Sequence, residues 1–453
     1  MTGALPSAWR RHAERNLPRY TSYPTALAFQ PARERAAVEA RIADTRAEDP
    51  ISVYVHVPFC RRLCWYCGCH TTVVHAYDRV DAYQDRMTRD VDLWAGAIGP
   101  HAGAAHVHFG GGSPNALSPE HFVALSRRIA ERFALRPGAE VAAELDPGML
   151  SDAFADATGP AGVTRVSLGV QTFDPVVQRK VNRIQPLDMV AQACARLRRA
   201  GVGSLNFDLM YGLPGQTPEN VAASVRDAVA LNPDRVAVFG YAHVPWMKKH
   251  QVMIQDADLA DTEGRWEQAE AADEALVAAG YVRIGLDHYA RPDDTLAEAA
   301  AAGTLRRNFQ GYTDDPAPVL VPIGPSSIGE LRDGFLQNAI TTDVWGAAVD
   351  EGVLPVAREI LTDAHDRLRA AVIERVMCDL SVDLGAVCAA RGFDPSTLDE
   401  ALAGAQALQA DGLCAVFGRR IVVRPEARRL VRAVAALFDA RLPVAQARHA
   451  RAV

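Results

Sequence analysis

Long apolar runs are missing from this sequence: no window of its 453 residues approaches the ~18 continuous apolar residues that a membrane-spanning helix needs. The opening stretch MTGALPSAWRRHAERN carries early charge and no apolar segment of secretory-signal length. No membrane association is expected, and the expected location is cytoplasmic. Nor is there an internal repeat of solenoid length. The net charge of −7 argues against general nucleic-acid affinity, which rests on neutralising phosphates. Only residues 415–453 run the other way, with nine Arg against one Glu and one Asp; such a run is expected to be a solvated face. The remainder, 49% hydrophobic and 23% charged, is a globular balance able to bury a large core, and its length suggests two or three domains.

Cysteine is scarce as well, eight in the chain, yet four of them (Cys60, Cys64, Cys67 and Cys69) crowd into FCRRLCWYCGCH at 59–70. In a reducing compartment a disulfide framework is not expected, so the cluster reads as a metal or redox site. Cys194, Cys378, Cys388 and Cys414 lie scattered among apolar neighbours and read as small buried hydrophobes.

From about residue 50 to 245, strand-like and helix-like segments alternate. The strand candidates are 51–57, 105–110, 141–145, 163–170, 204–212 and 234–241. Between them, 77–98, 118–134, 187–200 and 217–231 have helical apolar spacing, and SPEHF and TPEN look like helix starts with a Ser or Thr cap and Pro at the first position. Such alternation predicts parallel βαβ units. Loops that follow the strands' C-terminal ends then open on one rim, where chemistry collects in α/β folds. The unusual residues fall there: the cysteines after the first strand, Gly110-Gly111-Gly112-Ser113-Pro114 after the second, Glu144 and Asp146 at the third, Gln171 at the fourth, Asp208 on the fifth and Tyr241-Ala242-His243 after the sixth. Six units predict a partial (β/α)6 barrel of class α/β. Residues 1–49 read as an N-terminal arm, 50–350 as the barrel and its extension, and 355–453 as a mainly helical, winged-helix-like domain with a hairpin at 412–425.

Three thiolates at the spacing C-x3-C-x2-C can wrap one loop around a small cluster. A [4Fe-4S] cube normally takes four cysteine ligands, so with three, one iron keeps an open position. Zinc is the alternative, with His70, His75 or Cys69 completing the set, although no second C-x2-C knuckle follows.

The C-x3-C-x2-C motif after the first strand, GGG after the second and the six-unit barrel together resemble the radical S-adenosylmethionine (SAM) superfamily. The segments PRYTSYPTA, YVHVPFC, CGC, GGGSPN, SLGVQTF, VNRIQ, FDLMYGLPGQT, FGYAHVP, GLDHYARPDD and RNFQGYT, in that order between about residues 18 and 315, are similar to the oxygen-independent coproporphyrinogen III oxidases of haem biosynthesis. That resemblance implies decarboxylation of two propionates of coproporphyrinogen III to vinyl groups, giving protoporphyrinogen IX. It implies a cluster on Cys60, Cys64 and Cys67 whose open iron chelates SAM, and a 5′-deoxyadenosyl radical that removes a β-hydrogen no acid or base could take. The cofactor carries the hard step while the protein places it and excludes water.

The same resemblance implies two SAM molecules, one near Tyr54, Gly111, Glu144 and Ile328, the other near Tyr66, Gly112, Ser113, Gln171, Arg183, Asp208 and Ala242. Cys69 is implied to be a non-ligand with a catalytic part, against the plainer reading of a thiol packed beside the cluster. For any single carboxylate or arginine in this set the plainer alternative is an ordinary ion pair, which their shared rim disfavours. Ser113 and Tyr66 depart mildly from the commoner residues, and Pro325 in PIGPSSIG replaces a flexible one. Arg19, Lys248, Lys249, Arg291 and Arg307 are the cations that could meet the substrate's carboxylates. An unidentified one-electron donor and a terminal acceptor are implied as partners, and the chain is expected to be a monomer. The rival readings are a haem chaperone of similar sequence, a radical SAM enzyme acting on another tetrapyrrole, and a winged-helix nucleic-acid binder.

Overall fold

The computed structural model describes residues 4–74, 78–442 and 452; His75, residue 77 and most of the end of the arginine-rich stretch lie outside the described residues. The chain groups into two compact units: Phe29–Asp208 with Asp315–Leu361, and Met1–Ala28 with Leu209–Asp314 and Thr362–Val453.

The first unit is built on parallel strands. Ile51–Val57 pairs in parallel with Ala104–Gly111, which pairs with Glu140–Leu145, which pairs with Arg165–Gln171. Six of the seven residues of Ile51–Val57 are buried, as a strand covered on both faces requires. The helices between them are Asp78–Ala97, Pro119–Arg132, Asp152–Thr158, Pro175–Lys180 and Leu187–Arg199. Ser118 caps the second as expected, its hydroxyl accepting the His121 N–H at 3.2 Å. The two helices of six and seven residues were too short for apolar periodicity to reveal. On the other side of Ile51–Val57, Val319–Ile323 adds a further parallel strand, and Ile328–Leu331, Gly334–Asn338 and Val356–Leu361 continue antiparallel. The chain passes out of this unit within Ser204–Tyr211.

The second unit holds the sixth expected strand, Arg235–Gly240, paired antiparallel with His288–Ala290. Pro218–Ala230 begins with a capping box in which Thr217 and Asn220 satisfy each other's backbone N–H. The helices Ala364–Asp379, Leu384–Ala390 and Asp399–Ala410 surround a small sheet of Ser381–Asp383, Cys414–Phe417 and Arg420–Val423. Gly418 turns this hairpin with φ 61°, a backbone region open to glycine at no steric cost. Leu5, Trp9, Leu17, Tyr20 and Tyr23 share a core with Val376, Cys414 and Ile421. Here the solvated-face reading of the arginine-rich stretch holds for Arg420, Arg424 and Arg441, which are exposed, and fails at Arg428, 4% exposed, and Arg432, 6%. Arg428 donates to the carbonyls of Gly285, Ile284 and His288. Buried guanidinium N–H groups need such acceptors, and composition cannot show that they are at hand. Among the described residues no helix is long and apolar enough to cross a membrane.

Candidate active site

The cysteine loop leaves the first strand at Val57 and is held from three directions. Phe59–Cys60 pairs with Thr72–Val73, and the Thr71 hydroxyl lies 3.2 Å from Cys60 Sγ. Ser113 N–H donates to Phe59 O at 2.9 Å and Gly112 N–H to Val57 O at 2.7 Å. A Cβ on Gly112 would sit 2.7 Å from the Phe59 carbonyl, so only glycine lets the two loops lie this close. From the far side, Trp65 N–H donates to Val181 O at 3.0 Å, Asn182 Nδ2 to Leu63 O at 2.8 Å and Arg183 Nη1 to Cys64 Sγ at 3.4 Å. Cys67 N–H closes a turn onto Cys64 O at 3.1 Å. Burial pushes the Cys60 thiol up to about 11. Cys69 is exposed, and its thiol is raised by a hydrogen bond to Cys67, with the charges of Cys67 and Glu144 adding to it.

The second strand delivers His108 and the glycine turn, the third delivers Glu144. His108 Nε2 meets Glu144 Oε1 at 3.0 Å, and Gly111 N–H donates to Glu144 Oε2 at 3.3 Å. Burial acts to raise the Glu144 carboxyl, but these bonds outweigh it and hold it below its ordinary value, so Glu144 is an ionised acceptor. Tyr54 stacks on His108 with ring centres 5.9 Å apart. His56 donates from Nε2 to His70 O at 3.0 Å, since a carbonyl only accepts. Its Nδ1 is then the acceptor for the Tyr54 hydroxyl at 3.1 Å. Burial pulls His56 down to about 4, so the ring is neutral near pH 7. Gly111 takes φ 107°, and a Cβ there would lie 2.6 Å from the His56 ring.

Arg183 links the cysteine loop to the fourth strand. Nη2 donates to Gly169 O at 2.7 Å, and Nη1 also reaches Asp146 Oδ2 at 3.4 Å. Asp146 Oδ1 accepts Gln185 Nε2 at 2.8 Å, and Asp146 N–H donates to Ser113 Oγ at 3.2 Å. Gln171 ends its strand with a left-handed backbone, φ 69°. Burial, with repulsion from Glu144, raises the Asp208 carboxyl to about 7, against the pull of an Asn206 bond at 2.9 Å. Burial likewise raises Tyr66, with Arg183 opposing.

Ile328 opens a strand after a turn pinned from the helix Asp78–Ala97. Asp90 Oδ2 accepts Gly324 N–H at 2.8 Å and Trp345 Nε1 at 3.0 Å. Pro325 stands in this turn, and Asn338 Nδ2 donates to Gly324 O at 2.9 Å. Ala242 belongs to the second unit. Sequence reasoning passed over His56, His108, Thr71, Asn182 and Gln185. The alternation HVHFG, with His at every second position, was the available signal for His108; the others touch the site from segments that look ordinary.

The donor set fits an iron–sulfur cluster with SAM. Three thiols come from one loop, a guanidinium stands beside one of them, and the flanking turn is a cradle that a Cβ would fill. Among the described residues no group of His, Cys, Asp and Glu closes around a single metal ion.

A family model described as the radical SAM superfamily matches residues 54–228. The coproporphyrinogen III oxidase of Escherichia coli, a radical SAM enzyme, superposes with a TM-score of 0.88 at 34% identity, covering 94% of this chain and 100% of that one. The parallel strands and the cysteine loop are thus those of the radical SAM class. The oxygen-independent coproporphyrinogen III oxidase of Bradyrhizobium diazoefficiens is 45% identical over 98% of both chains. That of Paracoccus denitrificans is 42% identical over 93% of this chain and 94% of its own. The chain belongs to the oxygen-independent coproporphyrinogen III oxidase family.

Proposed function

We infer that this chain converts two propionate side chains of coproporphyrinogen III to vinyl groups without oxygen, giving protoporphyrinogen IX in haem biosynthesis. The observation that carries the reading is similarity along nearly the whole chain to oxidases of that name. When bound, a [4Fe-4S] cluster and SAM supply the one-electron chemistry that opens an unactivated propionate β-carbon.

The chain's own residues hold and shield that chemistry. We assign Cys60, Cys64 and Cys67 as the cluster ligands, with Arg183 offsetting thiolate charge at Cys64 and offering its fork to a carboxylate. Tyr54, Gly111, Glu144 and Ile328 are assigned to one SAM. Tyr66, Gly112, Ser113, Gln171, Arg183, Asp208 and Ala242 are assigned to a second, because two decarboxylations consume two. Ionised Glu144, oriented by His108, is an acceptor for ribose hydroxyls. Cys69 is assigned a catalytic part in hydrogen or electron transfer, outside the ligand set. A one-electron donor and a terminal acceptor complete the cycle, and the working form is a monomer.

Anaerobic incubation with SAM, a reductant and coproporphyrinogen III, following vinyl product and 5′-deoxyadenosine, tests the reading. Haem binding without turnover would replace it with a chaperone. In the same assay Cys69→Ser is expected to keep its iron and lose turnover; loss of iron would make Cys69 a ligand.

A further inference from the structure

Residues 58–74, which contain the cysteine loop, carry Arg61 and Arg62 and no Asp or Glu. The segment bonded to that loop, residues 175–187, carries Arg179, Lys180 and Arg183 and again no Asp or Glu. Over the whole chain the balance is reversed, with 55 acidic against 48 basic side chains. The bonds from Trp65 N–H to Val181 O at 3.0 Å and from Asn182 Nδ2 to Leu63 O at 2.8 Å join the two segments. Leu63 follows Arg62 and Val181 follows Lys180, so these bonds bring both basic pairs to one edge of the loop.

Arg183 turns inward and is engaged by Gly169 O and Asp146. Arg61, Arg62, Arg179 and Lys180 are exposed. The acids that flank the second segment do not offset them fully. Asp174 is occupied in capping the helix Pro175–Lys180, accepting the Val176 and Val177 N–H groups at 2.8 and 2.9 Å, and Asp188 stands in the first turn of the next helix. The same stretch also exposes large apolar side chains: Val176 and Ile184 are about half exposed, Leu187 and Met189 more than a third. Single exposed apolar residues need no explanation, but four of them between Val176 and Met189, among arginines, have the composition of an interface.

The location gives this surface a use. Each cleavage of SAM consumes one electron, and tunnelling through protein falls off exponentially with distance. Arg61 and Arg62 stand between two assigned cluster ligands, Cys60 and Cys64, so a redox group seated on this face lies across a single loop from the cluster. Redox encounters bury little area, under about 1,200 Å², and depend on complementary charge to bring the partners together. A few cations around a small apolar patch are enough for that.

We propose that the outer face of the cysteine loop, with Arg61, Arg62, Arg179 and Lys180, is the docking surface for a small acidic flavoprotein that passes single electrons to the cluster, a proposal that rests on the radical SAM reading above. The flavin carrier is the occupant whose chemistry fits: the exposed edge of an isoalloxazine is apolar, matching Val176, Ile184 and Leu187, and carboxylates around that edge match the arginine forks. In each encounter the reduced flavin is oxidised by one electron and the cluster is reduced by one. No proton or other group passes between the two proteins.

The test uses cluster-loaded full-length protein without oxygen and an acidic flavodoxin as the probe. Binding is read by calorimetric titration with oxidised flavodoxin. Electron delivery is read as SAM cleavage driven either by flavodoxin with its NADPH-dependent reductase or by dithionite, which needs no docking. Arg179→Glu is expected to weaken flavodoxin binding at low ionic strength by about fivefold or more, the scale of turning one exposed attraction into a repulsion. Flavodoxin-driven cleavage should slow with it, while iron content and dithionite-driven cleavage stay at the wild-type level. Arg62→Glu should repeat this pattern and Arg179→Lys should keep wild-type binding. Arg420→Glu, the same change of charge at an exposed site in the other unit, should change nothing. Wild-type binding should weaken as salt is raised. Wild-type affinity in both Arg179→Glu and Arg62→Glu overturns the docking surface, as does an affinity that salt leaves unchanged. Tighter binding of an acidic [2Fe-2S] ferredoxin through the same arginines overturns the flavin assignment. If dithionite drives conversion of coproporphyrinogen III while flavodoxin neither binds nor drives it, the docking surface alone is lost. If the wild type never cleaves SAM with dithionite, the functional reading falls and takes the docking surface with it.

Discussion

The two units assemble their charge in opposite ways. In the unit of parallel strands, polar groups at the rim come from the end of a strand or the loop after it, and several find partners one strand away: His108 with Glu144 and Arg183 with Asp146. In the other unit, Arg19, Arg307 and Arg432 come from segments more than a hundred residues apart and donate to the carbonyls of Gly240, Arg19 and Leu17. A rim made by repeated βα units brings its chemistry together by topology alone. An arginine cluster needs the tertiary fold to bring each member in.

The sharpest way to break this contrast is Cys64→Ala. Removing one of the three proposed ligands should abolish cluster retention and turnover, read as iron and sulfide content and SAM cleavage, while far-UV circular dichroism stays unchanged. A variant that still cleaves SAM would detach the cysteine loop from the chemistry.

Trp9→Ala probes the other unit. Trp9 is 8% exposed, donates from Nε1 to Asp411 O at 2.8 Å and meets Trp266 edge to face at 5.8 Å. Its truncation should cost about 3–5 kcal/mol by denaturant unfolding, with the SAM cleavage rate of the folded fraction preserved. Equal damage to both readouts would erase the distinction between the units.

Arg183→Lys keeps the charge but loses the planar fork that spans Gly169 O, Asp146 and Cys64 Sγ. SAM affinity should fall roughly tenfold, measured by equilibrium binding to the cluster-loaded protein. Unchanged affinity would remove Arg183 from the cofactor site.

The smallest effect is a slope. Burial raises Asp90 to about 7, against the pull of Gly324 and Trp345. An acid whose folded pKa exceeds its unfolded value stabilises fully below the unfolded pKa, and that contribution is lost as pH rises through the folded one. Asp90 therefore costs stability progressively between about pH 4 and 7. Asp90→Asn keeps an oxygen for both donors and removes the titration. The melting temperature of the variant should climb by a few degrees relative to wild type from pH 5 to pH 8, and a constant gap would contradict it.

Much of the rim was legible before folding. The strands at 51–57 and 204–212, the latter observed as Ser204–Tyr211, the caps Ser118 and Thr217, and the sequence of strand ends bearing Cys60, Gly111, Glu144, Gln171 and Asp208 follow from periodicity and turn chemistry. His56 and Asn182 were not legible. His56 reads as one more residue in an apolar strand until Gly111 packs on its ring, and Asn182 becomes a clamp only because a left-handed turn at φ 56° brings its amide to Leu63. Near the C-terminus, Arg428 and Arg432 were misread as solvated along with their exposed neighbours because charge runs usually are.

By itself the sequence determined the alternation of strands and helices, the cysteine spacing and the glycines that permit close approach, since each depends on neighbours within a few positions. Tertiary structure alone decided which nitrogen of His56 carries the proton, which carboxylates stay ionised, and that Arg307 Nη1 is buried without a hydrogen-bond partner. Those properties depend on burial and on charges brought from distant segments, and no local pattern encodes the distance between them.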